Sequence, residues 1–174
     1  MSRLHAFLVI GLLGLTACGF EPLYGDQEQG TPTEDLLSQV SVPPLEGRLG
    51  QLVRIELTNR LTPRPAPAPV YTVNVELTKS KQGLAVRRDA TATRANLIIS
   101  ATFALTFVGE TEKLTSGVVR SSNGYDILRS DFATLAAEND ARRRGARDVA
   151  NEIVSRIAIF LSRAAKQTTA PTQR

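Results

Sequence analysis

Two kinds of periodicity divide the chain. Tyr71, Val73, Val75 and Leu77 alternate with Thr72, Asn74, Glu76 and Thr78, the two-residue period of a strand with one buried and one wet face. The same alternation returns more strongly over Asn96 to Val108, where Leu97, Ile99, Ala101, Phe103, Leu105 and Phe107 share one side. Elsewhere the period is helical. Leu49, Leu52, Val53, Leu57 and Leu61 recur every three or four residues and predict an amphipathic helix over Arg48 to Leu61. A much longer helix is predicted from about 130 to 166, with Ser130 as N-cap and Asp131 at the positive end of its dipole. Its stripe runs Phe132, Leu135, Ala136, then Val149, Ala150, Ile153, Ile157, Phe160, Leu161 and Ala164. Asn139 to Arg147 is nearly all polar, and Gly145 lies inside the pattern, where a bend or loosening is expected.

Weaker signals fill the gaps. Leu36 to Val42 reads as a short strand stopped by Pro43-Pro44. The alternating prolines of Thr62 to Pro69 fix an extended connector, a stiff loop in preference to a ligand for a proline-binding partner. Lys79 to Gly83 reads as a polar turn, after which Leu84 to Ala90 continues the hairpin with Val86 inward. Gly109-Glu110-Thr111 turns the chain into a returning strand, Lys113 to Ser121, which Gly117 weakens and Ser122-Asn123-Gly124 ends. Consecutive strands flanked by two amphipathic helices predict an α+β, two-layer sandwich: two helices packed on a mainly antiparallel four-stranded sheet. This single domain is expected over residues 34–166, with a disordered tail at 167–174.

The beginning of the chain has a different character. Arg3 precedes a short apolar run, Ala6 to Leu15, and then Leu15-Thr16-Ala17-Cys18. A basic tip, an apolar segment and small residues at a cleavage point make a secretory signal peptide over residues 1–17. The run is shorter than the roughly 20 apolar residues that span a bilayer. Leu-Thr-Ala-Cys resembles the bacterial lipobox, in which the cysteine thiol receives diacylglycerol and the freed amine an acyl chain. Cys18 is therefore the expected lipidation site, and this covalent lipid is the only prosthetic group expected. Each buried CH2 contributes about 0.8 kcal/mol, so two or three chains anchor where one is marginal. Gly19 stands where inner-membrane lipoproteins often carry Asp, which implies the outer membrane, with the protein facing the periplasm. A plain signal peptide with a chance cysteine is the competing reading. Phe20 to Thr33 reads as a polar tether, with Phe20, Leu23 and Tyr24 able to dock on the domain.

Composition narrows the function. Cleavage before Cys18 removes Arg3 and leaves 20 of the 21 basic residues against 17 acids, a mild excess unlike that of a nucleic-acid binder. Cys18 is the only cysteine, so no intramolecular disulfide forms. The one histidine, His5, leaves with the signal peptide. The mature chain then lacks imidazole and free thiol, which removes Ser-His-Asp and Cys-His catalysis and the usual zinc ligand sets. No Ser-x-x-Lys, phosphate-binding loop or paired-glycine fingerprint occurs. Carboxylate chemistry stays open in principle. Glu138, Asp140, Asp148 and Glu152, however, lie among arginines and read as a solvated helix face with i,i+4 pairs such as Arg144 with Asp148. Arg142, Arg143, Arg144 and Arg147 are the densest basic group and read mainly as that same face. Arg87, Arg88 and Arg94 bracket the start of a strand, where guanidinium groups are placed to grip phosphates in bidentate fashion.

Cys18-Gly19-Phe20-Glu21-Pro22-Leu23-Tyr24-Gly25 resembles the mature N-terminus of the alphaproteobacterial LptE-like family of lipopolysaccharide (LPS)-assembly lipoproteins. Ser130-Asp131-Phe132-Ala133, Ala136-x-Glu138-x-Asp140-Ala141 and Ala150-Asn151-Glu152-Ile153 are similar to its final helix. The resemblance implies a non-enzymatic outer-membrane lipoprotein that sits as a plug inside the LptD-type β-barrel, supports its assembly and contacts LPS. In that family basic residues on strand-end loops are implicated in the contact, so Arg87, Arg88 and Arg94 are the candidates here. A free-standing lipoprotein that binds peptidoglycan, or an auxiliary of a lipid transporter, is the alternative.

Overall fold

The computed structural model describes residues 32–61, 68–86 and 92–169. Cys18, the tether as far as Thr31, Arg87, Arg88 and the last five residues lie outside them. The element order is α1 (Pro32–Ser38), β1 (Val40–Ser41), α2 (Gly47–Leu61), β2 (Tyr71–Val86), β3 (Ala92–Phe107), β4 (Lys113–Asp126) and α3 (Asp131–Thr169). The strands form one sheet in the order β1-β2-β3-β4. β2, β3 and β4 are antiparallel neighbours, and β1 joins β2 in parallel through Val40 opposite Tyr71 and Ser41 opposite Thr72. The helices lie on one face, with α3 against β3, β4 and α2. This is the predicted α+β sandwich with a third, short helix added.

The core follows the alternation. Leu97, Ile99, Ala101, Phe103 and Leu105 of β3 are buried, with Val73 of β2 and Val119 and Tyr125 of β4 on the same face. Val53, Leu57 and Leu61 of α2 and Ala141, Val149, Ala150, Ile153, Ile157 and Leu161 of α3 close over them. No described element covers the opposite sheet face, which carries Thr72, Asn74, Glu76 and Thr78, Ser100 and Thr102, and Arg120 and Ser122, with Val118 exposed among them.

Several predicted boundaries move. The strand expected over Leu36 to Val42 is two residues long. Pro32 opens α1 at the helix position where its missing N–H costs nothing, and Glu34 and Asp35 favour the same end. Lys79 to Gly83 is not a turn: these residues continue β2, with Lys79 opposite Ile99 and Gly83 opposite Ala95, so the connection to β3 falls at 87–91. Asn123-Gly124 likewise stays in β4, opposite Leu97 and Asn96. Both stretches look like turns because they are polar, and they are polar because the helix segment above them is polar. Gly117 does not weaken β4. It stands opposite Phe103, and a Cβ there would lie 3.1 Å from the Phe103 ring. α3 ends at Thr169 rather than at 166.

Ser130 caps α3 as expected, its hydroxyl accepting from the Ala133 N–H at 3.4 Å. Gly145 is buried within α3, which is helical throughout. Its role is close approach: a Cβ would meet Ile99 Cδ1 at 2.6 Å and Asn123 Nδ2 at 3.2 Å. Helix propensity alone would make Gly145→Ala stabilising by about 1 kcal/mol, whereas crowding a packed core costs about 1–3 kcal/mol. The variant should therefore melt below the native protein in thermal denaturation. A rise in melting temperature would mean that the Ile99 side chain gives way freely.

Candidate functional site

The predicted contact residues belong to the end of the sheet where β2 passes to β3. Arg87 and Arg88 fall on that connection, outside the described residues. Arg94 is on β3 with its side chain 63% exposed, opposite Asp126 of β4, and its Nε lies 3.5 Å from the Asp126 carboxylate. An exposed pair of this kind holds little energy and yields readily to a stronger anion. Arg129 is exposed just beyond, where the Ile127 N–H donates to Thr93 O at 3.0 Å and ties the start of the 127–130 segment to β3.

The same end carries exposed apolar side chains, two of which, Phe132 and Leu135, the sequence placed in the core stripe. Phe132 is 82% exposed, Leu135 54% and Leu128 50%. Phe132 and Leu135 are three residues apart on the first turns of α3 and share a side of the helix. The inward positions of this part of α3 are taken by the smaller Ala137 and Ala141. Leu128 is fixed by Thr134, whose hydroxyl accepts from the Leu128 N–H at 2.9 Å and donates to its carbonyl at 3.2 Å. Arg94 and Arg129, with Asp126 and Asp131 beside them, thus share this end with exposed apolar side chains, and guanidinium groups next to apolar surface are what a phosphorylated lipid can use. The signal was present in the sequence as the gap between Leu135 and Val149, a core stripe with no large member for three turns.

The helix arginines are separated by the fold. Arg142 turns toward the sheet, donates to Glu138 at 3.0 Å and to Asn139 at 2.9 Å, and is 14% exposed. Lys81 of β2 reaches the same carboxylate at 2.7 Å. The Lys81 hydrogen bond is the main reason that the Glu138 carboxyl is held below its usual 4.5; the charges of Lys81 and Arg142 add to it and burial opposes it. Arg143 and Arg144 both pair with Asp140. Arg144 does not pair with Asp148 as predicted. Asp148 instead accepts from Ser121 at 2.7 Å and Asn123 at 3.1 Å, and Arg144 donates to the Gly124 carbonyl at 2.9 Å. Glu152 pairs with Arg156, whose Nη1 donates to the Val118 carbonyl at 3.2 Å. Residues 144, 148, 152 and 156 thus form one i,i+4 stripe that clamps the β4 edge. Among the described residues no group of three or more potential metal ligands occurs.

Because the folded-state pKa of Glu138 is lowered, its ionised form contributes stability above pH 4.5, and this is lost as the pH falls through the lowered value. Glu138→Gln should then cost stability at pH 7, with the difference from the native protein shrinking in strongly acidic urea titrations. An equal cost at both extremes would show that shape, not charge, is what Glu138 supplies.

Comparison with known proteins agrees with this architecture. No curated protein matches the chain. Among solved structures, a lipoprotein of Caulobacter crescentus CB15 is 26% identical and superposes with a TM-score of 0.65, covering 76% of this chain and 96% of its own. The rare lipoprotein B of Shewanella oneidensis, 15% identical with a TM-score of 0.56 over 72% of this chain and 96% of its own, shares the fold. So does a minor lipoprotein of Acinetobacter baumannii, 18% identical with a TM-score of 0.52 over 69% and 90%. The profile of the LptE lipopolysaccharide-assembly family matches residues 37–157, well over half of the sequence. The chain belongs to the LptE family, as a non-enzymatic LPS-assembly lipoprotein.

Proposed function

We propose that this protein is the lipid-anchored partner of an LptD-type outer-membrane β-barrel, that it plugs the barrel lumen from the periplasmic side, and that it assists the insertion of LPS into the outer leaflet. The observation that carries the reading is the family match over residues 37–157. The open sheet face supports it: a barrel lumen is polar, and the hydroxyl and amide side chains of β2, β3 and β4 suit such a wall. Among the described residues no helix is long and apolar enough to cross a membrane, so membrane attachment is assigned to acyl chains on Cys18.

Tagged full-length protein solubilised from its native membranes should bring down a large β-barrel in stoichiometric amount. A lone lipoprotein, or one arriving with peptidoglycan or an inner-membrane transporter, would remove the plug assignment. In the same cells Cys18→Ala should shift the protein out of the outer-membrane fraction, and its retention there would mean that barrel contacts alone suffice.

LPS contact is assigned to the hairpin end, through Arg87, Arg88 and Arg94 with Phe132 and Leu135 beside the acyl region. Reversing Arg87 and Arg88 to Glu should weaken LPS binding by about tenfold or more, since each charge-assisted hydrogen bond lost is worth about 1.5–3 kcal/mol. An unchanged affinity at moderate salt would move the contact elsewhere.

A further inference from the structure

A pocket opens at the other end of the sheet, between the start of β4 and the last third of α3. Its volume is near 250 Å³, and Phe103, Thr115, Arg156, Ile159, Phe160 and Arg163 line it. It lies about 30 Å along β3 from Arg94, nine residues at ~3.3 Å each. Phe103 is buried and forms part of the core, while Ile159 is 45% exposed at the rim. Gly117 leaves room for two of the lining side chains, since a Cβ there would press within 3.1 Å of both the Arg156 guanidinium and the Phe103 ring.

The two arginines differ usefully. Arg156 is oriented in advance: Nε donates to Glu152 at 2.8 Å and Nη1 to the Val118 carbonyl at 3.2 Å. Arg163 is exposed, and no described residue engages its guanidinium. One carboxylate against two guanidinium groups leaves the pocket with a net positive charge and free donors, above an aromatic and aliphatic lining. We propose that this pocket binds the phosphate-bearing head of an amphiphile, with Arg156 and Arg163 on the phosphate and Ile159 and Phe160 against the first part of the apolar chain. An acidic peptide added as a further strand is disfavoured, because Arg156 already occupies the Val118 carbonyl that such a strand would need. The volume also falls below the roughly 300–1,000 Å³ of sites that engulf a whole ligand, so a head group and the start of one chain are what it accommodates.

The assignment is independent of the barrel partner and of the hairpin-end arginines, and its test separates them. Full-length protein in a non-ionic detergent is titrated with phosphatidic acid, with uncharged diacylglycerol, with inorganic phosphate and with an acidic peptide. Phosphatidic acid should bind saturably and the other three should not. Arg163→Glu should weaken that binding by about tenfold, Arg163→Lys should restore most of it, and Ile159→Ser should weaken it without altering the circular dichroism spectrum. Arg87→Glu with Arg88→Glu should leave it unchanged. The proposal is overturned if Arg163→Glu and Ile159→Ser both bind phosphatidic acid like the native protein, if diacylglycerol binds equally well, if inorganic phosphate displaces the lipid at equal concentration, or if the peptide takes the site with the same dependence on Arg163.

Discussion

The fold depends on one length match. β2 and β3 are 16 residues each, so the hairpin runs about 53 Å at ~3.3 Å per residue. Isolated two-stranded hairpins are marginal in water, and a third strand alone leaves an apolar face wet. α2, at 15 residues, covers about 22 Å at 1.5 Å per residue. Only α3, at 39 residues and about 58 Å, spans the sheet, and it packs against β3, β4 and both other helices. Its residues change along its length to suit what lies beneath. Ile153, Ile157 and Leu161 fill the half of the sheet that α2 shares, whereas Ala141, Gly145 and Ala146 let the helix settle directly on Ile99 and its neighbours.

That division separates the two ends chemically. Where α2 is absent, the space beside α3 is closed by polar side chains of opposite charge: Lys81 with Glu138 and Arg142 on the β2 side, Arg144 with Asp140 and the Gly124 carbonyl on the β4 side. Arg142 is half-buried, and removing one of its partners would leave a poorly compensated charge, which costs more than the intact pair contributes. The same stripe closes the β4 edge. Arg144 and Arg156 donate to Gly124 and Val118, six residues apart on an outer strand. A row of unpaired carbonyls invites strand addition, so these bonds blunt the edge of β4 without using the broad polar face of the sheet.

Legibility of the sequence tracks this geometry. Where strand and helix meet through apolar side chains, the period is plain, and the alternation from Leu97 to Leu105 and the stripe from Val149 to Leu161 emerge at their true positions. Where they meet through Lys81 and Glu138, or through Asn123 and Asp148, the local sequence carries only polarity, and polarity flanked by glycine reads as a turn. The partner that makes those residues structural lies 25 or more positions away. Phe132 shows the converse: it has the right spacing for a core stripe, but its place on the first turn of α3 leaves it facing solvent. The short α1 was hidden for a third reason, since seven residues are too few to establish a period. Of the contact residues named from sequence, Arg94 is where its strand position put it, at the exposed hairpin end, and it is the neighbouring apolar side chains that sequence alone could not expose.

An assembly component of this kind needs no reacting group, and its demands are those of a shaped wall. In the proposed plug role, a wall held inside a polar lumen must be stiff along its length, wet on the side it presents, and unable to polymerise through its own edges. The sheet stiffened by α3 meets the first demand, and the serine, threonine and asparagine side chains of the uncovered face meet the second. The arginine clamp on β4 meets the third. Amphiphile contact is compatible with all three only where guanidinium groups and apolar side chains occur together at the limits of the sheet. Arg94 and Arg129 beside Phe132 at one limit, and Arg163 beside Ile159 at the other, satisfy that condition without interrupting either the core or the polar face.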